Sequence, residues 1–420
     1  MKKHLERFMD AGDVFAGFKT LFQGVQILFV AFGALVLVPL LTGLDPGVAL
    51  CTAGIGTLIF QAATGMKVPI FLASSFAFVP AITYGVAAWG VPGTLCGLAA
   101  SGLLYVALSF VVRVFGSGVV TRLFPPVVVG PVICVIGLSL APSAVGMALG
   151  RSGGLQVVPA ETALFIAGVS LLATLLAFLF GRSWIGLVPI LVGIAAGYAV
   201  SAALGVVDYA GIAGAAWFSV PAFVFPAWNP AAVLFIVPVA IAPAIEHFGD
   251  ILAIGSVTGK DYLKDPGIHR TMLGDGIATL AASFVGGPPN TTYSEVTGAV
   301  TLTRAYSPVI MTVAAVFAIV FAFVGKIGAG LQSIPPPVMG GVMVLLFGLI
   351  AGLGIKHLVV HQVDLGVQKN AVILSLVLVT GIGGLCIPIG EFELAGVGLA
   401  AIIGVVLNLL IPEPAGPGAR

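Results

Sequence analysis

Long apolar stretches, broken by short polar or basic segments, follow one another along nearly the whole chain. A helix that crosses a bilayer needs about 20 predominantly apolar residues, and many of these stretches reach that length. The pattern predicts fourteen membrane-spanning segments, at residues 20–44, 47–65, 75–89, 92–112, 124–149, 160–180, 184–204, 231–257, 272–286, 295–303, 307–325, 334–354, 367–384 and 395–411.

The third and tenth segments are too short to cross a bilayer as continuous helices. Each follows a stretch, at residues 68–72 and 287–293, whose prolines and β-branched residues disfavour a helix. We expect a short strand followed by a half-helix at both places. Irregular backbone at membrane depth is tolerated only where it is buried in protein or lines a cavity. These two crossings therefore indicate a binding site.

Two motifs recur in the second half of the chain. Gly-Ile-Gly-Thr-Leu at residues 54–58 matches Gly-Ile-Ala-Thr-Leu at 276–280, and Pro-Pro at 125–126 matches Pro-Pro at 335–336. Each pair lies seven segments apart, and because seven is odd the two copies point in opposite directions. The prediction is an all-α polytopic membrane protein with fourteen segments in a 7+7 inverted repeat. Inverted repeats with broken helices are typical of transporters that bind their substrate near the bilayer midplane.

Composition excludes a soluble domain. The 420 residues are 59% hydrophobic and 8% charged, whereas soluble domains carry about 25% charged residues. The net charge of +1 indicates no nucleic-acid partner. The four cysteines lack a CxxC spacing and are read as small buried hydrophobes. We therefore expect no metal, no cofactor and no enzyme activity.

The basic residues fix an expected orientation. Of the 17 Lys and Arg residues, all except Arg151 and Lys326 fall on one side of the predicted topology. Basic residues favour the cytoplasmic side, so both termini are expected in the cytoplasm. The protein is expected to be a multi-pass protein of a bacterial-type inner membrane, in contact with lipid.

Three carboxylates in apolar surroundings are candidates for a functional site. Glu246 and Asp250 are four residues apart in the eighth segment and share one helix face. Glu295 opens the tenth segment, and Phe76 lies just inside the third. Carboxylates at membrane depth are costly and mark substrate or proton paths. Half-helix N-termini offer N–H groups to carbonyl oxygens, carboxylates accept N–H groups, and a Phe ring stacks on a flat ring. Together they favour a nucleobase.

At these residues the chain resembles the nucleobase–ascorbate transporter family, also called nucleobase–cation symporter-2, and is similar to its bacterial uracil–proton symporters. The matching pieces occur in the family's order along most of the chain. They are residues 32–39, Ser-Ser-Phe-Ala-Phe at 74–78, Glu-His-Phe-Gly at 246–249, 265–270, Asn-Thr-Thr-Tyr at 290–293, 303–304 and 337–341.

The resemblance implies two domains and a homodimer. The expected divisions are residues 1–19 as a cytoplasmic segment, 20–115 and 231–326 as a core domain (segments 1–4 and 8–11), 116–205 and 327–412 as a gate domain (segments 5–7 and 12–14), 206–230 as an extracellular loop and 413–420 as a tail.

The resemblance also implies the roles of individual residues. Glu246, Glu295, Phe76 and the backbones of Ala34, Tyr293 and Ser294 are expected to bind the base. Apart from the resemblance, protonation of Glu246 is expected to neutralise the site and so couple transport to the proton gradient, together with Asp250 and Asp275. Asp250 can instead hydrogen-bond a neighbouring helix, Asp275 can be a capped, half-solvated acid, and His247 is expected to have a packing role.

Several positions depart from the uracil-type pattern and leave the substrate open. Ile27 and Val296 replace a family His and Asn. Asp250 and Asp275 stand where uracil members have His and Asn, and acidic residues there resemble purine transporters. Glu295 favours the uracil type. The alternatives are a purine symporter for xanthine, uric acid or guanine, and an anion exchanger or channel sharing the fold. The latter should lack Glu246 and Glu295 and expose basic groups at the half-helices.

Overall fold

The computed structural model describes residues 11–116, 118–152, 154–181, 185–389 and 392–412. The predicted tail at residues 413–420 and the first ten residues of the predicted N-terminal segment lie outside these ranges. The described chain is mostly helical. Its helices are α1 (Ala11–Thr42), α2 (Pro46–Thr64), α3 (Val79–Phe115), α4 (Gly118–Leu123), α5 (Pro126–Ala148), α6 (Ala160–Phe180), α7 (Pro189–Ala203), α8 (Ala210–Gly214), α9 (Pro230–Ile236), α10 (Ile241–Thr258), α11 (Ile268–Phe284), α12 (Ser294–Thr303), α13 (Pro308–Ala322), α14 (Gly325–Gln332), α15 (Pro336–Val360), α16 (Gln368–Ile382) and α17 (Gly396–Leu410).

Six short strands form three antiparallel pairs. They are β1 (Leu72–Ser74) with β4 (Asn290–Thr292), β2 (Arg151–Ser152) with β3 (Leu155–Gln156), and β5 (Cys386–Ile389) with β6 (Phe392–Ala395).

Many of the helices are suited to a membrane. Seven helical stretches in the described ranges are long and apolar enough to cross a bilayer, and four apolar helices are shorter. The seven are Lys19–Thr42, Pro46–Thr64, Phe76–Phe115, Pro126–Ala148, Ala160–Phe180, Pro230–Thr258 and Pro336–Val360. The prediction of a mostly helical, multi-pass membrane protein is confirmed. Its division into fourteen segments of a 7+7 repeat stays a prediction.

Two of the long stretches are interrupted. The path of α3 breaks at Gly90, which has a φ of 69° and precedes Pro92 by two residues. Such a φ suits glycine, because it has no Cβ to clash with the backbone. Between α9 and α10 the chain tightens into a 3-10 turn, Val237–Ala240, that contains Pro238. This proline cannot donate the hydrogen bond of a regular α-helix.

The β1–β4 pair lies inside the molecule. Leu72 pairs with Thr292, Ala73 with Thr291, and Ser74 with Asn290, and both strands are fully buried. The chain leaves β1 through a 3-10 turn, Phe76–Phe78, into α3, and leaves β4 into α12. Because the strands are antiparallel, two helices start at opposite ends of one small sheet.

Close helix contacts depend on small residues. A Cβ on Gly102 of α3 would lie 2.6 Å from the backbone nitrogen of Leu280 in α11, and one on Gly276 would lie 2.8 Å from the Cβ of Tyr105. Small residues are the usual means of packing helices in a membrane, where the lipid is as apolar as the side chains.

The helices pack mainly within two groups. Helices α1, α2, α3, α11 and α13 contact one another, and so do α5, α6, α7, α15, α16 and α17. The hydrophobic core joins the two groups, and the ring of Phe76 contacts that of Phe347 in α15. The division into a core and a gate domain stays a prediction, since packing alone does not show which parts move.

Candidate functional site

A cavity of about 450 Å³ lies between the two groups of helices, next to the β1–β4 pair. It brings together five of the eight predicted site residues. Glu246, Asp250, Glu295, Phe76 and Tyr293 line the cavity, whereas Ala34 and Asp275 are not among its described lining residues. Ala34 is fully buried in α1, and the backbone of Ser294 forms the first residue of α12.

One face of α10 forms a wall of this cavity. Glu246, Gly249, Asp250 and Ala253 line it, and their spacing of three and four residues is that of one helix face. The helix ends at Thr258, and Gly259 follows it with a φ of 68°, the left-handed conformation that commonly terminates a helix. Glu246 is half-buried and Asp250 is buried.

The start of α12 forms the second polar wall. Tyr293 precedes the helix with an extended backbone, and Glu295 lies in the first turn. The N–H groups of Val296 and Thr297 donate to the carbonyl oxygen of Tyr293, at 3.1 and 3.4 Å, so the donors left for a ligand are those before them, around Tyr293 and Ser294. Glu295 is half-buried, and its carboxylate adds an acceptor beside these donors.

Phe76 closes the site towards the other group of helices. Its side chain is buried, and its ring meets that of Phe347 in α15 edge to face, with the centroids 6.1 Å apart. Edge-to-face pairs are favourable because the ring edge is positive and the face is negative. The contact fixes the orientation of an aromatic surface on the cavity wall.

Asp250 has both of the features that the sequence presented as alternatives. Its carboxylate lines the cavity, and its Oδ2 accepts a hydrogen bond of 2.8 Å from the hydroxyl of Thr292. Asp250 therefore ties α10 to strand β4 while it faces the candidate site.

Asp275 and His247 form a buried pair behind the site. Both side chains are fully buried, with His247 Nδ1 3.3 Å from Asp275 Oδ2. The interpretation of Asp275 as a half-solvated acid is wrong, because α11 packs closely against α2 and α3 at this level. His247 does more than pack, since its ring pairs with a carboxylate as well as meeting the ring of Phe60.

A hydrogen bond orients the ring of His247. Its Nε2 lies 2.9 Å from the hydroxyl of Thr271, and that hydroxyl also lies within hydrogen-bond distance of the carbonyl of Ile268. The other ring nitrogen, Nδ1, therefore faces Asp275 Oδ2 across 3.3 Å.

Sequence reasoning missed a basic cluster at the cavity wall. Lys356 and His357 lie in the last turns of α15 and His361 follows its last residue. These three residues, here called the basic cluster, line the same cavity as the carboxylates. They continue the helix face of Ile350 and Leu353. The signal in the sequence was weak, because a lysine and histidines at the end of a segment fit an ordinary solvated helix end.

The departures at Ile27 and Val296 lie away from the cavity lining. Both side chains are buried in the hydrophobic core, in α1 and α12. The apolar side chains at these two positions need no hydrogen-bond partner. They therefore fit the core without the polar side chains of the family pattern.

Comparison with known proteins supports the family assignment. Residues 18–390 match the model of the Permease family. The chain is 53% identical over 395 residues to the probable uracil permease of Pasteurella multocida, covering 94% of each chain. It is 45% identical over 398 residues to the uracil permease of Bacillus caldolyticus, covering 92% of this chain and 91% of that one.

A solved structure supports the fold. The transmembrane domain of the cyanobacterial bicarbonate transporter BicA superposes with a TM-score of 0.65 at 17% identity, covering 93% of this chain and 96% of that one. At this identity the likeness concerns the fold alone. The full-length sequence matches decide the family and confirm the resemblance inferred from the motifs. The chain therefore belongs to the Permease family of membrane transport proteins, and it is not an enzyme.

Proposed function

We propose that this protein imports uracil together with a proton. The observation that carries the proposal is the cavity in which Glu246 and Glu295 lie beside the start of α12 and the ring of Phe76. Mostly apolar walls with a few placed polar groups are typical of small-molecule sites. The similarity to uracil permeases along nearly the full chain favours uracil as the base.

The two kinds of polar group suit the two edges of the base. The carboxylates of Glu246 and Glu295 accept the ring N–H groups, and backbone N–H groups around Tyr293 and Ser294 donate to ring carbonyls. Phe76 supplies an aromatic face for stacking. A contact from the backbone of Ala34 stays a prediction, since this residue is fully buried in α1.

Glu246 is proposed as the proton carrier. A protonated Glu246 and an uncharged base make the loaded site less polar, which lowers the cost of closing it away from water. Asp250, one turn away on the same face, is the candidate second group of the proton path. Asp275 is the third candidate of this path, through its buried pair with His247 behind the site.

The proposed movement is of the core domain, residues 20–115 and 231–326, against the gate domain, residues 116–205 and 327–412. The 7+7 inverted repeat relates the two halves of each domain. The cavity between two groups of helices supports this arrangement, because its walls come from both. A homodimer in the bacterial plasma membrane, with both termini in the cytoplasm, completes the proposal.

The proposed function is tested by uptake into proteoliposomes. Radiolabelled uracil should accumulate above its external concentration when the inside is alkaline, and a protonophore should abolish the accumulation. Unlabelled uracil should compete, whereas xanthine, guanine and uric acid should not. Competition by a purine but not by uracil would assign the purine alternative. Accumulation that follows a sodium gradient without a pH gradient would contradict proton coupling.

The anion-exchanger alternative is less well supported. It requires basic groups at the half-helices, and α12 begins with Glu295 instead. Bicarbonate or chloride exchange in the same proteoliposomes, unaffected by uracil, would favour it.

A further inference from the structure

The basic cluster has no role in binding an uncharged base. Lys356, His357 and His361 line the same cavity as the three carboxylates, but they come from α15 and the residue that follows it, whereas the carboxylates come from α10 and α12. The cavity therefore has an acidic wall and a basic wall. Transport of a neutral ring with a proton uses only the first of these.

The two histidines are arranged as a unit. Their ring centroids are 4.2 Å apart, and Nδ1 of His361 lies 2.9 Å from the carbonyl oxygen of His357. A carbonyl oxygen can only accept, so Nδ1 of His361 is the donor. Its Nε2 is left for a ligand or water. The ammonium group of the neighbouring Lys356 supplies three further donors.

The size of the cavity exceeds the needs of one six-membered ring. A volume of about 450 Å³ falls in the range that holds drug-sized ligands, about 300–1,000 Å³. Lys356 and His357 lie six and seven residues after Ile350 on the cavity face of α15, about 9–10 Å further along the helix axis. A ligand that reached both walls would carry a base at one end and an anion at the other.

We propose that the cavity also binds pyrimidine nucleoside monophosphates, with the base at the carboxylates and the phosphate at the basic cluster. This rests on the proposed function, because it uses the same base site. A base brought into a cell is consumed by attachment to a sugar phosphate, so the ligand is the product class of that reaction. Its binding would block the site and reduce further uptake when the product accumulates.

The hydrogen bonds that each ligand can make set its expected affinity. Attachment of the sugar removes one ring N–H, so one carboxylate loses a donor and the nucleoside alone binds weakly. Hydrogen bonds from the ammonium group of Lys356 to a phosphate are charge-assisted and about twice as strong as neutral ones, and they offset that loss. The nucleoside should therefore compete weakly with uracil, and its monophosphate should compete clearly.

The test is competition for radiolabelled uracil on the purified full-length protein. Uridine 5′-monophosphate should displace uracil at a concentration about tenfold or more below that of uridine, a difference of about 1.4 kcal/mol. Inorganic phosphate and ribose 5-phosphate, which lack a base, should not displace it. Equal competition by uridine and its monophosphate would overturn the proposal.

Variants of the basic cluster test whether the phosphate binds there. The triple variant Lys356→Gln, His357→Gln, His361→Gln should reduce the preference for the monophosphate to about twofold or less while it still binds uracil. Each single replacement should reduce this preference in part. The single variants therefore test the proposal even if the triple variant does not fold. Lys264→Gln is the matched control, since this exposed lysine pairs with Asp261 in a loop outside the cavity.

Two further outcomes would overturn the assignment. If the cluster binds lipid headgroups, phosphatidylglycerol rather than the nucleotide should stabilise the wild type more than the triple variant. If it binds free phosphate, phosphate should stabilise the protein without displacing uracil. Failure of uracil itself to bind would instead count against the proposed function, so the two failures are distinguishable.

Discussion

The polar residues of the site differ in what else they contact. Glu246, Asp250 and Glu295 all line the cavity. Glu246 and Glu295 are half-buried, whereas Asp250 is buried and also accepts a hydrogen bond from Thr292. Asp275 is further removed, paired with His247 behind the wall. A carboxylate that faces the cavity can exchange a proton with a ligand or water. A carboxylate that is paired behind the wall mainly holds neighbouring helices in place. Replacement of the first kind should therefore change binding or proton coupling, and replacement of the second kind should change stability.

Replacement of Glu246 by Gln should separate binding from accumulation. The amide keeps the shape and accepts a hydrogen bond, but it cannot take up a proton. Uracil should still bind, while uptake against a concentration gradient should be lost in proteoliposomes with an imposed pH gradient. Concentrative uptake at the wild-type rate would remove Glu246 from the proton path.

Replacement of Glu295 by Ala should weaken binding. A ring N–H left without an acceptor in a dry site costs roughly 1–3 kcal/mol, which is about tenfold or more in Kd. Isothermal titration calorimetry measures this directly. Glu161→Ala, at an exposed first turn of α6, is the control. An unchanged Kd in Glu295→Ala would place this residue outside the site.

Asp250→Asn tests whether this residue belongs to the proton path. The amide oxygen can still accept the hydrogen bond from Thr292, so the link to β4 is retained. Removal of the negative charge one turn from Glu246 should shift the pH profile of uptake to lower pH. A profile identical to that of the wild type would assign Asp250 a purely structural role.

At the scale of elements, the sequence predicted which residues lie at the site better than it predicted which residues contact one another. The i, i+4 spacing of Glu246 and Asp250 and the helix-breaking stretches before Phe76 and Tyr293 indicated a shared site, because these are local signals. The pairing of His247 with Asp275 depends on how α10 packs beside α11. The basic cluster depends on where the end of α15 lies, and neither leaves a local pattern in the sequence.

The pair between α10 and α11 should be coupled energetically. Removal of one partner of a buried pair costs about 3–5 kcal/mol, because the other is left without compensation. His247→Gln and Asp275→Asn should each lower the melting temperature in detergent markedly. The double variant His247→Gln, Asp275→Asn should lose less than the two together. The exposed Asp364→Asn is the control, and strict additivity would show that the two side chains act independently.

At the scale of the whole molecule, the central proposal is the movement of two bodies around the cavity. Leu353 lines the cavity on α15, whereas Ile355 is 58% exposed and is not among the lining residues. A substrate that occupies or closes the cavity should therefore protect the first position only.

Cysteine labelling tests this movement. In a background in which the exposed Cys386 is replaced by Ser, Leu353→Cys should react with a polar maleimide, and saturating uracil should slow that reaction several-fold. Ile355→Cys is the matched control and should show no protection. Equal rates at Leu353→Cys with and without uracil, in protein that binds uracil, would contradict closure of the cavity.

The pairing of β1 with β4 has a consequence for biosynthesis. The two strands are separated by more than 200 residues of chain, so the first strand enters the membrane long before its partner is made. Until then its backbone groups lack their ladder partners, and each unsatisfied group in hydrocarbon costs several kcal/mol. The nascent first half must therefore shelter this edge, against other helices or outside the bilayer. The cavity is therefore complete only after strand β4 and helix α12 have been synthesised, so the site forms late in synthesis.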